Sequence, residues 1–327
     1  MPISATNAQD AAAIQAAITK VAICDRSHWG RIRVSNDDRL RFLHNQSTND
    51  FQSLKPGQGC DTVMVSSTAR TIDLVSAYIL EDAVLLLTSP SRRESLFQWL
   101  DKYIFFADKV ELKDVTEETS TFSLIGPESD AIIEHLGAGE IIGKSYGDHQ
   151  LVDGVIVAVG SGLAAPGYTL ILPTAQKEQL WQKILALGAV ELSDRAWETL
   201  RILQGRPAPD AELTDDYNPL EVGLWQTISF NKGCYIGQET IARLNTYKGV
   251  KQYLWGIRLN AAVEVGSAIA IGDEKIGKLT SYTETTNGHF GLGYIRSKAG
   301  GVGLKVQVGE TQGEIVAIPF VSHEYPE

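Results

Sequence analysis

An eight-residue run with two glycines around one cysteine constrains the fold of this chain more than any other segment. It reads Lys232-Gly233-Cys234-Tyr235-Ile236-Gly237-Gln238-Glu239. Glycine adopts backbone angles that other residues resist, so its repeated use here indicates a tight turn. An apolar stretch at 224–230 precedes the run, and residues 239–244 have a helical pattern. The sequence therefore predicts a turn that leads directly into a helix.

Cys234 is the candidate reactive (catalytic) group of this turn, and Lys232 is its companion. Unpaired N–H groups at a helix start, together with the cations Lys232 and Arg243, favour the thiolate form of a cysteine. The alternative is a buried cysteine that only fills space. The motif residues that shape the turn are Gly233, Tyr235, Gly237, Gln238 and Glu239.

Segments spread along most of the chain resemble the YgfZ folate-binding family, whose members are relatives of the glycine-cleavage T-protein, an aminomethyltransferase. Each segment is short, but all of them occur in one order and end in the cysteine run. They are residues 43–50 (the "LxxQxTND" segment), 123–127 ("xLxGP"), 165–168 ("PGY"), 218–224 ("P-x-E-x-G-L") and 232–239.

The resemblance implies an α+β fold, in which mixed antiparallel sheets form a multi-part ring around a hollow that accepts tetrahydrofolate. It divides the chain into a folate-binding core of two α+β units at 1–250 and a β-barrel domain at 251–327. The glycine-spaced, strand-like pieces after Gly249 independently favour a small barrel. Residues 9–24 are alanine-rich with helical spacing and predict a helix.

A folate pocket needs flat apolar walls for the pterin, a few polar groups, and cations for the glutamate tail. Within the matched segments, the residues of these types are Tyr168, Trp197, Arg201, Glu221, Trp225 and Arg243. Lys232 is a further candidate cation. Packing in the core explains Trp197 and Trp225 equally well, and Glu221 is alternatively the cap of a helix.

Two departures from the T-protein pattern bear on activity. The T-protein has an acidic pair in its "GGILDDL" strand, whereas residues 70–75 here keep only a displaced Asp73. Leu203 occupies the place of the T-protein's pterin-binding glutamate. We therefore expect a tetrahydrofolate-binding accessory protein that supports assembly or repair of iron–sulfur enzymes and is not itself an enzyme. The alternative is a folate-dependent aminomethyl transferase.

Composition predicts a cytoplasmic protein that binds neither nucleic acid nor membrane. The formal net charge of −11 opposes attraction to phosphate. No run of 18 apolar residues occurs, and residues 1–4 show no signal pattern. The three cysteines are widely spaced, and the histidines occur in no H-E-x-x-H motif and beside no C-x-x-C pair. No bound metal is therefore expected. Gly160-Ser161-Gly162 is followed by Pro166-Gly167, which argues against a dinucleotide fingerprint.

Overall fold

The computed structural model describes residues 7–325, and the start at 1–4 lies outside that range. The fold is α+β, with one antiparallel sheet, one mixed sheet and a closed barrel, which confirms the predicted class. The helices are α1 (Ala8–Thr19), α2 (Arg39–Gln46), α3 (Arg93–Asp101), α4 (Ser129–His135), α5 (Lys177–Ala186), α6 (Asp194–Gln204), α7 (Pro219–Val222) and α8 (Gln238–Thr246).

Several strands often follow one another directly in the chain, without the regular strand–helix alternation of a doubly wound sheet. They are β1 (Ala22–Asp25), β2 (Gly30–Ser35), β3 (Gly59–Val65), β4 (Thr71–Ile79), β5 (Ala83–Thr88), β6 (Glu111–Asp114), β7 (Thr119–Ile125), β8 (His149–Val152), β9 (Val155–Val159), β10 (Gly167–Pro173), β11 (Val190–Leu192), β12 (Gln252–Leu259), β13 (Ala268–Ile271), β14 (Glu274–Thr285), β15 (Gly288–Arg296), β16 (Lys305–Val308) and β17 (Thr311–Val316).

The first sheet is antiparallel, with the strand order β3-β4-β5-β2-β6. Helices α2 and α3 contribute Leu43 and Leu96 to its buried apolar core. The second sheet has the order β11-β1-β7-β10-β9-β8, in which only the β1–β11 pair is parallel. Strand β1, from the start of the chain, lies between β7 and β11 and so joins these two later strands in one sheet.

The predicted helix at 9–24 is too long, and its last part is wrong. Helix α1 ends at Thr19, because Lys20 has a backbone conformation outside the helical region. Ala22, Ile23 and Cys24 are fully buried in β1 between β7 and β11. The alanine-rich spacing describes only the first three turns, and sheet pairing overrides it in the short apolar stretch that follows.

The C-terminal strands close into a six-stranded barrel in the order β12-β15-β14-β13-β16-β17. After β17 the chain returns to the core, where the Phe320 backbone N–H donates to the carbonyl of Gln204 at the end of α6. Helix α6 also contacts β14 and β15 of the barrel as well as α1 and β1. It therefore lies at the junction of the barrel and the core. The domain boundary near residue 250 stays a prediction.

Candidate functional site

A cavity of about 300 Å³ opens beside α6, between the end of β1, the segment after β5 and the residues after α6. Trp29 and Trp197 form aromatic walls whose ring centroids are 5.4 Å apart in an edge-to-face arrangement. The Arg26 guanidinium lies 4.4 Å from the Trp29 ring centroid, and that of Arg206 lies 5.3 Å from it. Flat apolar surface and positive charge therefore share one wall.

These wall residues carry hydrogen-bond donors that the protein does not use. The Nε of Arg26, the Nη1 of Arg206 and the Nε1 of Trp197 are buried without a partner among residues 7–325. No ion pair to either arginine occurs in the same part of the chain. Burial lowers the pKa of Arg26 to about 10, with the neighbouring charge of Arg206 as the next cause. Oxygen atoms of a bound ligand would satisfy these donors and separate the two charges.

The Gly160-Ser161-Gly162 segment makes room for side chains beside this wall. It follows β9 and leads into β10 without a helix, as the sequence predicts. An added Cβ on Gly162 would lie 2.7 Å from Arg26 Nη1, and one on Gly160 would meet the ring of Tyr146. Both glycines have positive φ, +115° and +80° in chain order. They therefore serve the packing of Tyr146 and Arg26.

Of the six predicted folate contacts, Trp197 and Arg201 line the cavity. Arg201 is already saturated by protein groups, because it pairs with Glu212 at 3.0 Å and Glu198 at 2.6 Å and also donates to Ser281 Oγ. Its guanidinium therefore anchors α6 to the barrel. Arg26 and Arg206 are the cations that sequence reasoning missed, since neither belongs to a recognisable motif.

The other predicted contacts lie outside the lining of this cavity. The Tyr168 hydroxyl donates to Asp130 Oδ1 at 2.6 Å. Glu221 completes a capping box at α7, where its carboxylate accepts from the Asn218 N–H at 3.1 Å.

Trp225 packs against Phe230 and Tyr325, and Arg243 is exposed on α8. The part that all four of these predicted contacts play in binding stays a prediction.

The cysteine run and the segment at 43–50 meet in space. Lys232 Nζ donates to three backbone carbonyls, those of His44, Ser47 (2.8 Å) and Asn49 (2.6 Å). The Ile236 N–H also donates to the carbonyl of Asn45 at 3.0 Å. Burial lowers the pKa of Lys232 to about 7, whereas three carbonyl oxygens around one nitrogen favour its charged form. Lys232 therefore joins two distant segments through their main chains.

Within the turn, Gly237 and Gln238 set the geometry. Gly237 has φ +80°, and an added Cβ would lie 2.8 Å from the Ser66 carbonyl oxygen. Gln238 begins α8 and accepts from the Tyr235 N–H through its Oε1 at 3.0 Å, while Glu239 is exposed. Gly233 lies beside His44, whose Nδ1 is 3.0 Å from Asp50 Oδ1.

The three cysteines have different surroundings. Cys24 is buried, Cys60 is half-buried and Cys234 is exposed. Burial raises the pKa of both Cys24 and Cys60 to about 12. Cys234 is the thiol that a reagent or partner can reach, although the cysteine run does not line the cavity described above. Its reactivity stays a prediction.

The two departures from the T-protein pattern have structural counterparts. Asp73 is fully buried on β4, where its carboxylate accepts from the N–H (2.9 Å) and the hydroxyl (2.6 Å) of Ser89. Ser89 in turn lines the cavity. Burial raises the pKa of Asp73 to about 6. Leu203 is half-buried near the end of α6 and supplies no acceptor.

The fold is that of the aminomethyltransferases. The crystal structure of the glycine cleavage system aminomethyltransferase T from Bartonella henselae superposes with a TM-score of 0.85, covering 97% of this chain and 91% of that one at 19% identity. Residues 4–232 match the family described as the GCVT N-terminal domain. The chain belongs to this family.

Named relatives span nearly the whole chain. The Arabidopsis thaliana protein "Putative transferase At1g60990, chloroplastic" is 51% identical over 97% of this chain and 75% of its own length. An aminomethyltransferase of Desulforamulus reducens is 29% identical over 95% of this chain and 89% of its own length. Across residues 7–325 no helix has the length and apolarity needed to span a bilayer.

Proposed function

We propose that this protein binds tetrahydrofolate, or a one-carbon derivative of it, in the cavity beside α6. The observation that carries the proposal is the pair of arginines with unused buried donors, set against the Trp29 and Trp197 rings. The aromatic faces suit the flat pterin or benzoyl group, and Arg26 and Arg206 suit its carbonyl or carboxylate oxygens. Membership of a family that includes aminomethyltransferases supports the same ligand.

Calorimetric titration with tetrahydrofolate tests this binding. Arg206→Met should weaken it about 10- to 100-fold, because a charged hydrogen bond is lost. Arg296→Met is the matched control, since Arg296 is exposed on the barrel and pairs only with Glu274 among the residues described. Absence of saturable heat with the wild-type protein at millimolar ligand would refute folate binding.

For the cellular role, we propose a YgfZ-type accessory protein that supports iron–sulfur enzymes, with Cys234 as its reactive group and those enzymes as its partners. The support is the exposed thiol on a turn that Lys232 and Gly237 hold in place. The missing acidic pair and Leu203 argue against the T-protein reaction. We place this role in the cytoplasm, although the Arabidopsis relative is named as chloroplastic.

A folate-dependent one-carbon transferase is the second candidate, and the names of the relatives support it better than the accessory role. Proteins named aminomethyltransferase match this chain over nearly its whole length. None of the relatives described above has a name that refers to iron–sulfur enzymes. Carboxylates also line the cavity, at Asp194 and Glu198.

Two assays with the same variants separate the candidates. A strain with damaged iron–sulfur enzymes is complemented with wild type, Cys234→Ser and Cys60→Ser, and the purified proteins are assayed for transfer from an aminomethyl-lipoyl carrier to tetrahydrofolate. The accessory role predicts that only Cys234→Ser fails to complement and that no protein catalyses transfer. Transfer by the wild type and by Cys234→Ser at equal rates would instead establish the transferase.

A further inference from the structure

Asp61 on β3 is a carboxylate with spare hydrogen-bonding capacity. Its Oδ1 accepts from Ser76 Oγ at 2.6 Å, and its Oδ2 accepts from the Tyr146 hydroxyl at 2.9 Å. Among residues 7–325 it has no ion-pair partner within salt-bridge distance. An ionised carboxylate has about four acceptor sites, so each oxygen can take one more donor.

Asp61 is connected with the proposed folate cavity through one glycine-containing segment, because its donor Tyr146 packs against Gly160 and the cavity-lining Arg26 packs against Gly162. Burial raises the pKa of Asp61, and the charges of Arg206 and Arg26 act against that rise. Both arginines line the cavity. The carboxylate therefore lies within electrostatic reach of the cationic wall, but the protein leaves it without a direct cationic partner.

The Asp61–Tyr146 pair is also partly exposed to solvent. Asp61 is half-buried, and Tyr146 keeps 44% of its surface exposed although its hydroxyl is fixed. The glycines at 160 and 162 accommodate Tyr146 and Arg26, so both side chains depend on one glycine-containing segment. Asp61 and Tyr146 are thus partly exposed beside the segment that packs against Arg26.

We infer that Asp61 recognises the pterin ring by accepting hydrogen bonds from its pyrimidine edge. That edge presents a 2-amino group, an N3–H and a 4-carbonyl side by side, which is two donors and one acceptor. The two free acceptor sites of Asp61 match the donors, and the neighbouring Arg206 or Arg26 matches the carbonyl. The inference rests on the proposed binding of folate.

This assignment also accounts for the missing carboxylate of α6. Leu203 leaves that helix without an acceptor for the pterin, and a buried pterin edge with unpaired donors would bind weakly. Asp61 supplies the same chemistry from the first sheet. The ring is then oriented by β3 and the loop that carries Tyr146, so its pose differs from one fixed by α6.

Ligand discrimination tests the inference. Wild-type protein is titrated with tetrahydrofolate and with its 2-desamino-2-methyl analogue, which lacks the donor amino group. We expect tetrahydrofolate to bind about 10- to 100-fold more tightly, and Asp61→Asn to reduce that ratio to about one. Asp82→Asn, which alters an exposed carboxylate on the turn between β4 and β5, should keep the full ratio.

Equal binding of the two ligands by the wild type would overturn the role of Asp61 while leaving folate binding intact. An unchanged ratio in a folded Asp61→Asn protein would do the same. No binding of tetrahydrofolate by the wild type would instead refute the proposed function itself. Because the ratio is a property of the wild type, the test stands even if Asp61→Asn fails to fold.

Discussion

The cavity beside α6 and the cysteine turn use buried cations in opposite ways. Arg26 and Arg206 line the cavity with donors that have no partner among the residues described. In the turn, Lys232 directs its ammonium group to three carbonyl oxygens, which matches the three donors that a lysine has. The cavity thus has unused bonding capacity, whereas the turn has none at its central cation.

The two regions are therefore suited to different roles. Unused buried donors cost free energy unless something binds them, so the cavity is suited to a ligand. A saturated cation contributes to stability and gives the turn one conformation, which presents Cys234 to solvent. If the comparison is correct, substitutions in the turn should mainly change folding stability, and substitutions in the cavity should mainly change binding.

The largest expected effect on stability is that of Lys232→Met. The substitution leaves the carbonyls of His44, Ser47 and Asn49 without their donor in a partly buried site. We expect the free energy of unfolding to fall by about 4 kcal/mol, measured by urea denaturation. Lys55→Met, at an exposed position, is the control and should change it by less than about 0.5 kcal/mol. Equal stability of the two variants would show that Lys232 is not a structural cation.

Asp73 should make stability depend on pH. Its pKa is raised from 3.8 to about 6 in the folded protein, so the folded state binds more protons than the unfolded state between these values. The stabilisation is therefore complete below pH 3.8 and is lost as the pH rises through about 6. Between pH 4 and 7.5 the wild type should lose about 2 to 3 kcal/mol relative to Asp73→Asn.

Urea denaturation of both proteins at the two pH values measures this difference. Parallel pH profiles of wild type and Asp73→Asn would mean that the pKa of Asp73 is the same in the folded and unfolded states, so that its carboxylate is ionised in the folded protein at pH 7.5. The cavity would then carry a permanent negative charge behind Ser89, which would sharpen the contrast with its cationic wall.

Alanine substitutions at the two glycines of the cysteine run provide a test and its matched control. Gly237→Ala places a Cβ 2.8 Å from the Ser66 carbonyl oxygen at φ +80°, and we expect a loss of about 2 kcal/mol. Gly233→Ala places its Cβ 3.6 Å from His44 Nε2, which is an ordinary contact. It should therefore cost less than about 1 kcal/mol. Equal losses in thermal denaturation would contradict the geometry of the turn.

Cys234→Ser should have the smallest effect on stability, within about 0.5 kcal/mol, because the side chain is exposed. In native protein, a thiol reagent should modify Cys234 well before Cys24 and Cys60, whose burial keeps their pKa at about 12. Mass spectrometry of the labelled peptides measures the order. Simultaneous labelling of all three would mean that the fold opens readily.

Much of the local structure could be predicted from the sequence. The turn-to-helix transition at the cysteine run and the glycine-spaced barrel follow from patterns of neighbouring residues. The helix prediction failed at 22–24, where pairing with β7 and β11 decides between helix and strand. The strand partners are about 100 and 168 residues away in the chain, so no local pattern contains them.

In the candidate site, too, some features follow from local sequence and others from contacts between distant residues. The α+β class, the cysteine turn and the kinds of side chain that a folate site needs can be inferred from the sequence. Which cations keep unpaired donors follows only from the folded chain: Arg201 and Lys232 donate to protein groups, whereas buried donors of Arg26 and Arg206 have no partner among the residues described. Whether a charged group has spare hydrogen bonds depends on its neighbours in space, and those neighbours come from distant parts of the chain.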